Sequence, residues 1–267
     1  MSFFSKLFLK RKKRVKIGVA LGSGGAKGYA LLGALSALQE NGIEFDVVGG
    51  TSIGSIVGAF YADGYSSLDI LNVLKKVDFR EITNFFMIGM DTANLKEVIN
   101  RNIGYKSIEE LKKPFLAIAT ELESGDEKVF SSGNVGNALV ASSCYPPFFR
   151  PVVIDGKRYV DGAFTNSVPS DRVKELGADY VVGIDLSDHN PEEGFLEKIF
   201  PTYKGKTDTP WKQGYENSNV MIHPDLKGFS ATSFKEGDKM FKIGFEEALK
   251  YVDTIKNDIN KLKNLRT

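Results

Sequence analysis

The stretch "FDVVGGTSIGSIVGAF", residues 45–60, decides how this chain is read. Its first part, from Phe45 to Gly50, is short, apolar and β-branched, the composition of a buried strand. Its second part sets Ile53, Ile56, Val57 and Phe60 at helical spacing, and Gly54, Ser55, Gly58 and Ala59 let that helix pack closely. Ser52 stands at the joint, with Gly50 two residues before it and Gly54 two after. A tight strand-to-helix turn pushes a hydroxyl out of the sheet edge, and flanking glycines give the backbone room to bend. The following helix turns its free N–H groups and positive dipole end toward the same place, which favours an alkoxide and the oxyanion it generates. The same residues also fit a plainer role, a small-residue turn whose serine caps the helix.

Reading outward, "VKIGVAL" (15–21) is another buried strand ending at glycines, followed by "GSGGAKG" (22–28). A helix follows, with Leu31, Ala34, Leu35 and Leu38 on one face and Asn41-Gly42 as its stop. Strand–helix–strand–helix with glycine turns predicts an α/β fold, a three-layer sandwich with a mostly parallel central sheet flanked by helices. Residues 65–112 read as polar-rich helix outside the sheet. Residues 115–133 read as a hairpin turning at Ser124-Gly125-Asp126, and 134–143 as a short helix ended by Pro146-Pro147. A second hairpin turns at Asp155-Gly156, and 173–186 is a helix end feeding a strand. Residues 187–232 show no period, and that length without structure suggests a functional loop or lid. Phe241, Phe245, Ala248, Val252, Ile255, Ile259 and Leu262 alternate steps of four and three, which predicts one long amphipathic helix docked on the domain. The expected division is a basic aromatic tail at 1–14, a catalytic domain at 15–235 and a C-terminal helix at 236–267.

Composition narrows the function. The 267 residues suit one domain, and 42% hydrophobic residues suffice for a sizeable core. A single cysteine, Cys144, excludes an internal disulfide and reads as a small buried filler. Two histidines, His189 and His223, with that cysteine cannot build a usual histidine/cysteine zinc site, so no metal is expected. Net charge is +1, but seven of the 35 lysines and arginines fall in residues 1–16, where none of the 34 acids lies. The rest therefore carries 28 basic against 34 acidic residues, which argues against nucleic acid as a partner. Phe3, Phe4, Leu7, Phe8 and Leu9 precede the basic run, the wrong order for a signal peptide and too short to span a bilayer. Aromatics beside such a cluster suit an anionic membrane surface, and a solvated tail is the plainer reading. The expected place is the cytoplasm, with residues 1–16 as the candidate contact with the inner membrane face.

A hydrolytic serine needs an oxyanion hole and a base. The "GSGGAKG" loop fits neither common nucleotide pattern: a dinucleotide fingerprint from Gly22 needs glycine where Lys27 stands, and a P-loop needs glycine before its lysine. A glycine-rich turn does present free backbone N–H groups, here at Gly24, Gly25 and Ala26, with Lys27 lending charge or locking the loop. For the base, Ser52, Asp161 and His223 follow the chain order of an α/β-hydrolase triad, although that fold sets its nucleophile on a later strand. The alternative is a carboxylate that takes the serine proton directly. Asp161, in "YVDGAF", is that candidate, provided burial lifts its pKa. It also reads as a turn aspartate.

Together these segments resemble the patatin-like phospholipases. "LGSGGAKGYALLGAL" is similar to that family's oxyanion-loop block, "GTSIGSIVGA" to its nucleophile elbow, and "DGAF" at 161–164 to the block carrying the aspartate of its Ser–Asp dyad. "PDLKGFS" (224–230) resembles a late segment of small bacterial members, and the likeness covers roughly residues 15 to 235. The resemblance implies Ser52 as nucleophile and Asp161 as base, with Gly24, Gly25, Ala26 and Lys27 at the oxyanion hole. Gly22, Gly28, Gly50, Gly54 and Gly162 are its motif glycines. It implies a cofactor-independent serine acyl hydrolase acting on phospholipids, lysophospholipids or related acyl esters. Two departures stand out: Ser23 replaces the first glycine of the usual triple-glycine loop, and Leu32 stands where many members have histidine. The same acyl-enzyme serves an acyltransferase or thioesterase, and a lipid-binding regulator without turnover is the rival from another class. Pro146, Pro147, Phe148 and Phe149 read equally as the wall of an acyl channel or as core packing.

Overall fold

A central sheet of eight strands organises the chain in a computed structural model that describes residues 14–76, 92–189, 198–200, 203–207, 209–232 and 234–266. Strands β1 (Ile17–Leu21), β2 (Val47–Thr51), β3 (Phe115–Glu121), β7 (Tyr180–Ile184) and β8 (Val220–Ile222) run parallel to their neighbours in the order β3-β2-β1-β7-β8. Strands β4 (Glu127–Phe130) and β6 (Lys157–Asp161) both pair antiparallel with β3, and β5 (Val152–Ile154) closes that edge against β6. The sheet is therefore mixed and mostly parallel.

Both faces are covered, which explains why the parallel strands read as apolar runs without alternation. Along β1, Val19 and Leu21 enter the main core while Ala20 enters a second cluster on the opposite face. Along β7, Tyr180, Val182 and Ile184 take the first side and Val181 the other. The main core is roofed by α1 (Gly28–Glu40), α2 (Ile53–Ala62), α3 (Ser67–Lys76), α4 (Ala93–Ile103) and α5 (Val135–Ser143). The second face is covered by α6 (Ser170–Glu175) and by α7 (Lys212–Asn217), whose Gly214 lies against Val168.

Two expectations change. The periodic C-terminal segment forms two helices, α8 (Gly237–Leu249) and α9 (Val252–Leu265), with a turn at Lys250 and Tyr251. Met240 and Ala248 of the first, and Val252, Ile255 and Ile259 of the second, bury against the same core, so the turn preserves the phase of the pattern. Residues 187–232 are not structureless, because they hold α7 and the edge strand β8, with Val220 and Ile222 in the main core. Within 65–112, α3 and α4 are as expected in kind, and the stretch between them lies outside the described residues. So do residues 1–13 of the basic aromatic tail.

Candidate active site

Ser52 follows the last residue of β2 and precedes the first of α2, with φ 56° and ψ −127°. A side chain rarely tolerates that conformation, and holding it costs of order 1–3 kcal/mol. The surroundings enforce it. The Ser52 N–H donates to Ser142 Oγ at 2.9 Å, its carbonyl accepts from the Ser55 N–H and hydroxyl, and Thr51 Oγ1 donates to the Asn166 carbonyl at 2.8 Å. The two flanking glycines are there for space. A Cβ on Gly50 would stand 2.2 Å from the Gly54 carbonyl oxygen, and one on Gly54 would stand 2.2 Å from that of Leu21. The turn therefore presses β2, α2 and the end of β1 together, with Gly22 and Gly28 at the same junction: a Cβ on Gly28 would meet Ile53.

Asp161 is the last residue of β6, and it reaches the same point from the other side of β3. Register carries it there, because β6 pairs with the end of β3 at Ala119↔Asp161 while β2 pairs with the beginning of β3. The Ser52 hydroxyl donates to Asp161 Oδ2 at 2.6 Å. The other carboxylate oxygen, Oδ1, accepts the Ala163 N–H at 2.8 Å, in the single helical turn that starts at Gly162. Asp161 is fully buried and Ser52 is 9% exposed. Burial pushes the Asp161 carboxyl up to about 7, against the lowering effect of the Ser52 and Ala163 hydrogen bonds. Such a group changes charge near neutrality, where a proton acceptor is most useful.

The glycine loop divides into engaged and unengaged amides. Among the described residues, the Gly24 and Gly25 N–H groups make no hydrogen bond. The Ala26 and Lys27 amides are engaged within the fold. The Ala26 N–H donates to the Ala231 carbonyl at 2.7 Å, and the Lys27 N–H to the Gly24 carbonyl at 3.1 Å. Ala231 lies so close that a Cβ on Gly25 would stand 2.3 Å from its carbonyl oxygen. The Lys27 side chain is buried and its Nζ is held by Asp188 at 2.8 Å, a locked position away from solvent.

The sequence pattern described as patatin-like phospholipase matches residues 19–173, more than half of the chain and both members of the Ser52–Asp161 pair. The chain belongs to the patatin-like phospholipase family. It is 25% identical to the lysophospholipase NTE1 of Coccidioides immitis over 281 residues, covering 91% of this chain and 18% of that protein. It is 31% identical to the neuropathy target esterase sws of Drosophila melanogaster over 186 residues, covering 64% of this chain and 13% of that protein. This patatin-like chain thus spans less than a fifth of the length of either relative. Among solved structures, VipD from Legionella pneumophila aligns with TM-score 0.62 at 13% identity, covering 91% of this chain and 67% of the other. Human GIVD cytosolic phospholipase A2 aligns with TM-score 0.53 at 12% identity, covering 97% of this chain and 61% of the other. At those identities the two structures speak to the fold alone.

Other residues of this patatin-like chain sort as follows. His189 and His223 do not meet Ser52: their hydrogen bonds run to Asp185 and Tyr215. Cys144 is buried, and burial pushes its thiol up to about 12, so it is a filler and no nucleophile. Phe149 packs against the main core while Phe148 is exposed, so the two phenylalanines part company. The sequence reading missed Ser142 and Asn166, which hold the turn. Ser142 sits in a helix of small residues like any other, and nothing in its spacing marks it.

Proposed function

We propose that this chain is a serine acyl hydrolase that cleaves acyl esters of phospholipids or lysophospholipids through a Ser52–Asp161 dyad. The observation that carries the reading is the 2.6 Å hydrogen bond from the Ser52 hydroxyl to a fully buried carboxylate. The Ser52 Oγ–H bond breaks as Oγ attacks the acyl carbonyl carbon, and the proton passes to Asp161 Oδ2. The carbonyl oxygen takes the negative charge and faces the N–H groups of Gly24 and Gly25, with the start of α2 adding its dipole. Collapse expels the alcohol, which collects the proton from Asp161. Water then attacks the acyl-serine and gives its proton to Asp161. A second collapse releases the carboxylic acid and returns the proton to Ser52.

Family membership and relatives named as a lysophospholipase and an esterase support the choice of substrate class. No helix among the described residues is long and apolar enough to cross a membrane. Contact with a lipid surface through residues 1–16 completes the proposal, since seven basic residues and no acid stand there.

Labelling by a fluorophosphonate probe tests the reading. The chain should label stoichiometrically, Ser52→Ala should not label, and Asp161→Asn should label about 10²–10⁴ times more slowly. The His189→Ala, His223→Ala double variant should keep its label. Undiminished labelling of Ser52→Ala would end the proposal, and loss of labelling in His223→Ala alone would favour a triad.

A further inference from the structure

The two histidines, both in the stretch 187–232 that shows no period in the sequence, come together in space beyond the ends of β7 and β8. His189 Nε2 stands 2.6 Å from Asp185 Oδ2, and His223 Nδ1 stands 3.9 Å from that same oxygen. One ligand atom from each of the three side chains lies within 4.8 Å of the other two. The rings meet edge to face, with centroids 4.8 Å apart. The surroundings have the features of a built site. Asp185 is buried, and its second oxygen, Oδ1, accepts the Ser187 N–H at 2.9 Å, which fixes the carboxylate. The His189 backbone takes φ 53°, an uncommon conformation for a residue with a side chain, and this turns the ring back toward Asp185. Trp211 stacks on the His189 ring at 4.5 Å. The hydroxyl of Tyr215 lies 2.6 Å from His223 Nδ1, a hydrogen bond that an ion on that nitrogen would replace. The histidine side chains remain 29% and 36% exposed, so an ion has a way in.

We propose that Asp185, His189 and His223 form a binding site for one divalent transition-metal ion of the zinc class. Two imidazoles and one carboxylate are the donor set of many three-ligand zinc sites, and imidazole favours zinc, cobalt and nickel over calcium and magnesium. Bonds of about 2.0–2.2 Å in a tetrahedral arrangement place ligand atoms roughly 3.3 Å apart, so the cluster needs only small side-chain rotations to close on an ion. The ligands come from the segment after β7 and from the residue after β8, so the ion ties two neighbouring strand ends together. This site is independent of the Ser52–Asp161 reading and uses none of its residues.

The test uses the full chain, stripped with a chelator and titrated with Co2+ and then with Zn2+. The expected result is one equivalent of Co2+ bound with the visible d–d absorption of a four- or five-coordinate ion, bleached when Zn2+ displaces it. Zinc at a hundred times its dissociation constant should raise the midpoint of thermal unfolding by about 5 °C. Single variants His189→Ala and His223→Gln should lose both responses while keeping the far-ultraviolet dichroism of the parent. Absence of the absorption and of the thermal shift in the folded parent chain would overturn the site. So would an unchanged Co2+ spectrum in the double histidine variant, because the ion would then sit elsewhere.

Discussion

Asp161 is a buried carboxyl group whose environment bears on both its proposed role as base and the stability of the fold. No cation is among the causes of its shift; burial raises it from 3.8 to about 7. In the proposed role of base, the carboxylate must be unprotonated to take the Ser52 proton. We therefore expect kcat/KM to rise with pH and level off above an apparent pKa near 7, falling about tenfold per unit below it. A profile flat from pH 5 to 8 would count against Asp161 as the base. For stability the sign is opposite. Between pH 4 and 7 the folded chain keeps a proton that the unfolded chain has released, so stability falls as pH rises through that window and stays lower above it. Three pKa units correspond to roughly 4 kcal/mol. Asp161→Asn removes the charge and keeps an acceptor for the Ala163 N–H. The Asp161→Asn variant should therefore be more stable than the parent at pH 8, by roughly 2–4 kcal/mol in urea unfolding, with the difference gone near pH 4. A variant less stable than the parent at pH 8 would mean that the buried carboxylate is better compensated than its surroundings indicate.

At the scale of elements, backbone contact at glycine governs how the helices seat. Helices α1 and α8 cross so closely that a Cβ on Gly244 would stand 2.0 Å from the Ala30 carbonyl oxygen, and one on Gly33 would stand 1.9 Å from that of Phe241. Backbone cannot step aside as a flexible side chain does, so Gly244→Ala should cost about 3 kcal/mol, the upper end for overpacking. Gly42 offers the contrast. It has φ +74° and open space around it, so Gly42→Ala should cost only about 1 kcal/mol of backbone strain. A urea series in which Gly244→Ala proved no worse than Gly42→Ala would refute the crossing. These contacts also explain what was legible in the sequence. The turn at Ser52 was readable because a strand run, a small-residue helix and paired glycines meet within sixteen residues. Asp161 was readable as a candidate, but its burial depends on β6 reaching the end of β3, which no local pattern encodes. The break between α8 and α9 was hidden because the turn keeps the apolar phase. Strand β8 has three residues and α7 six, too few for a period to show. Ala231 over the glycine loop, and His189 beside His223, are contacts between distant segments, and the same limit applies.

At the scale of the whole molecule, the charge distribution sets the proposed attachment apart from the proposed chemistry. Seven basic residues and no acid lie in residues 1–16, while the rest of the chain carries an acidic excess. An anionic bilayer would therefore attract one end of the chain and repel the remainder, which orients it as well as binding it. Arg14 pairs with Asp46 at 2.8 Å, so the cut that spares the folded part falls just before it. Removing residues 1–13 takes away five lysines and arginines together with Phe3, Phe4 and Phe8. At about 1 kcal/mol for each basic residue near an anionic surface, the shortened chain should bind vesicles rich in phosphatidylglycerol at least a hundred times more weakly at low salt. The Ser52–Asp161 pair is untouched, so under the proposed mechanism turnover of a water-soluble ester should match that of the parent. Raising the salt to about 1 M shortens the screening length to about 3 Å, and the two chains should then bind to a similar, much smaller extent. Equal binding of the two chains at low salt would move the lipid contact onto the folded domain, where the half-exposed Phe148 and Tyr145 are the next residues to replace.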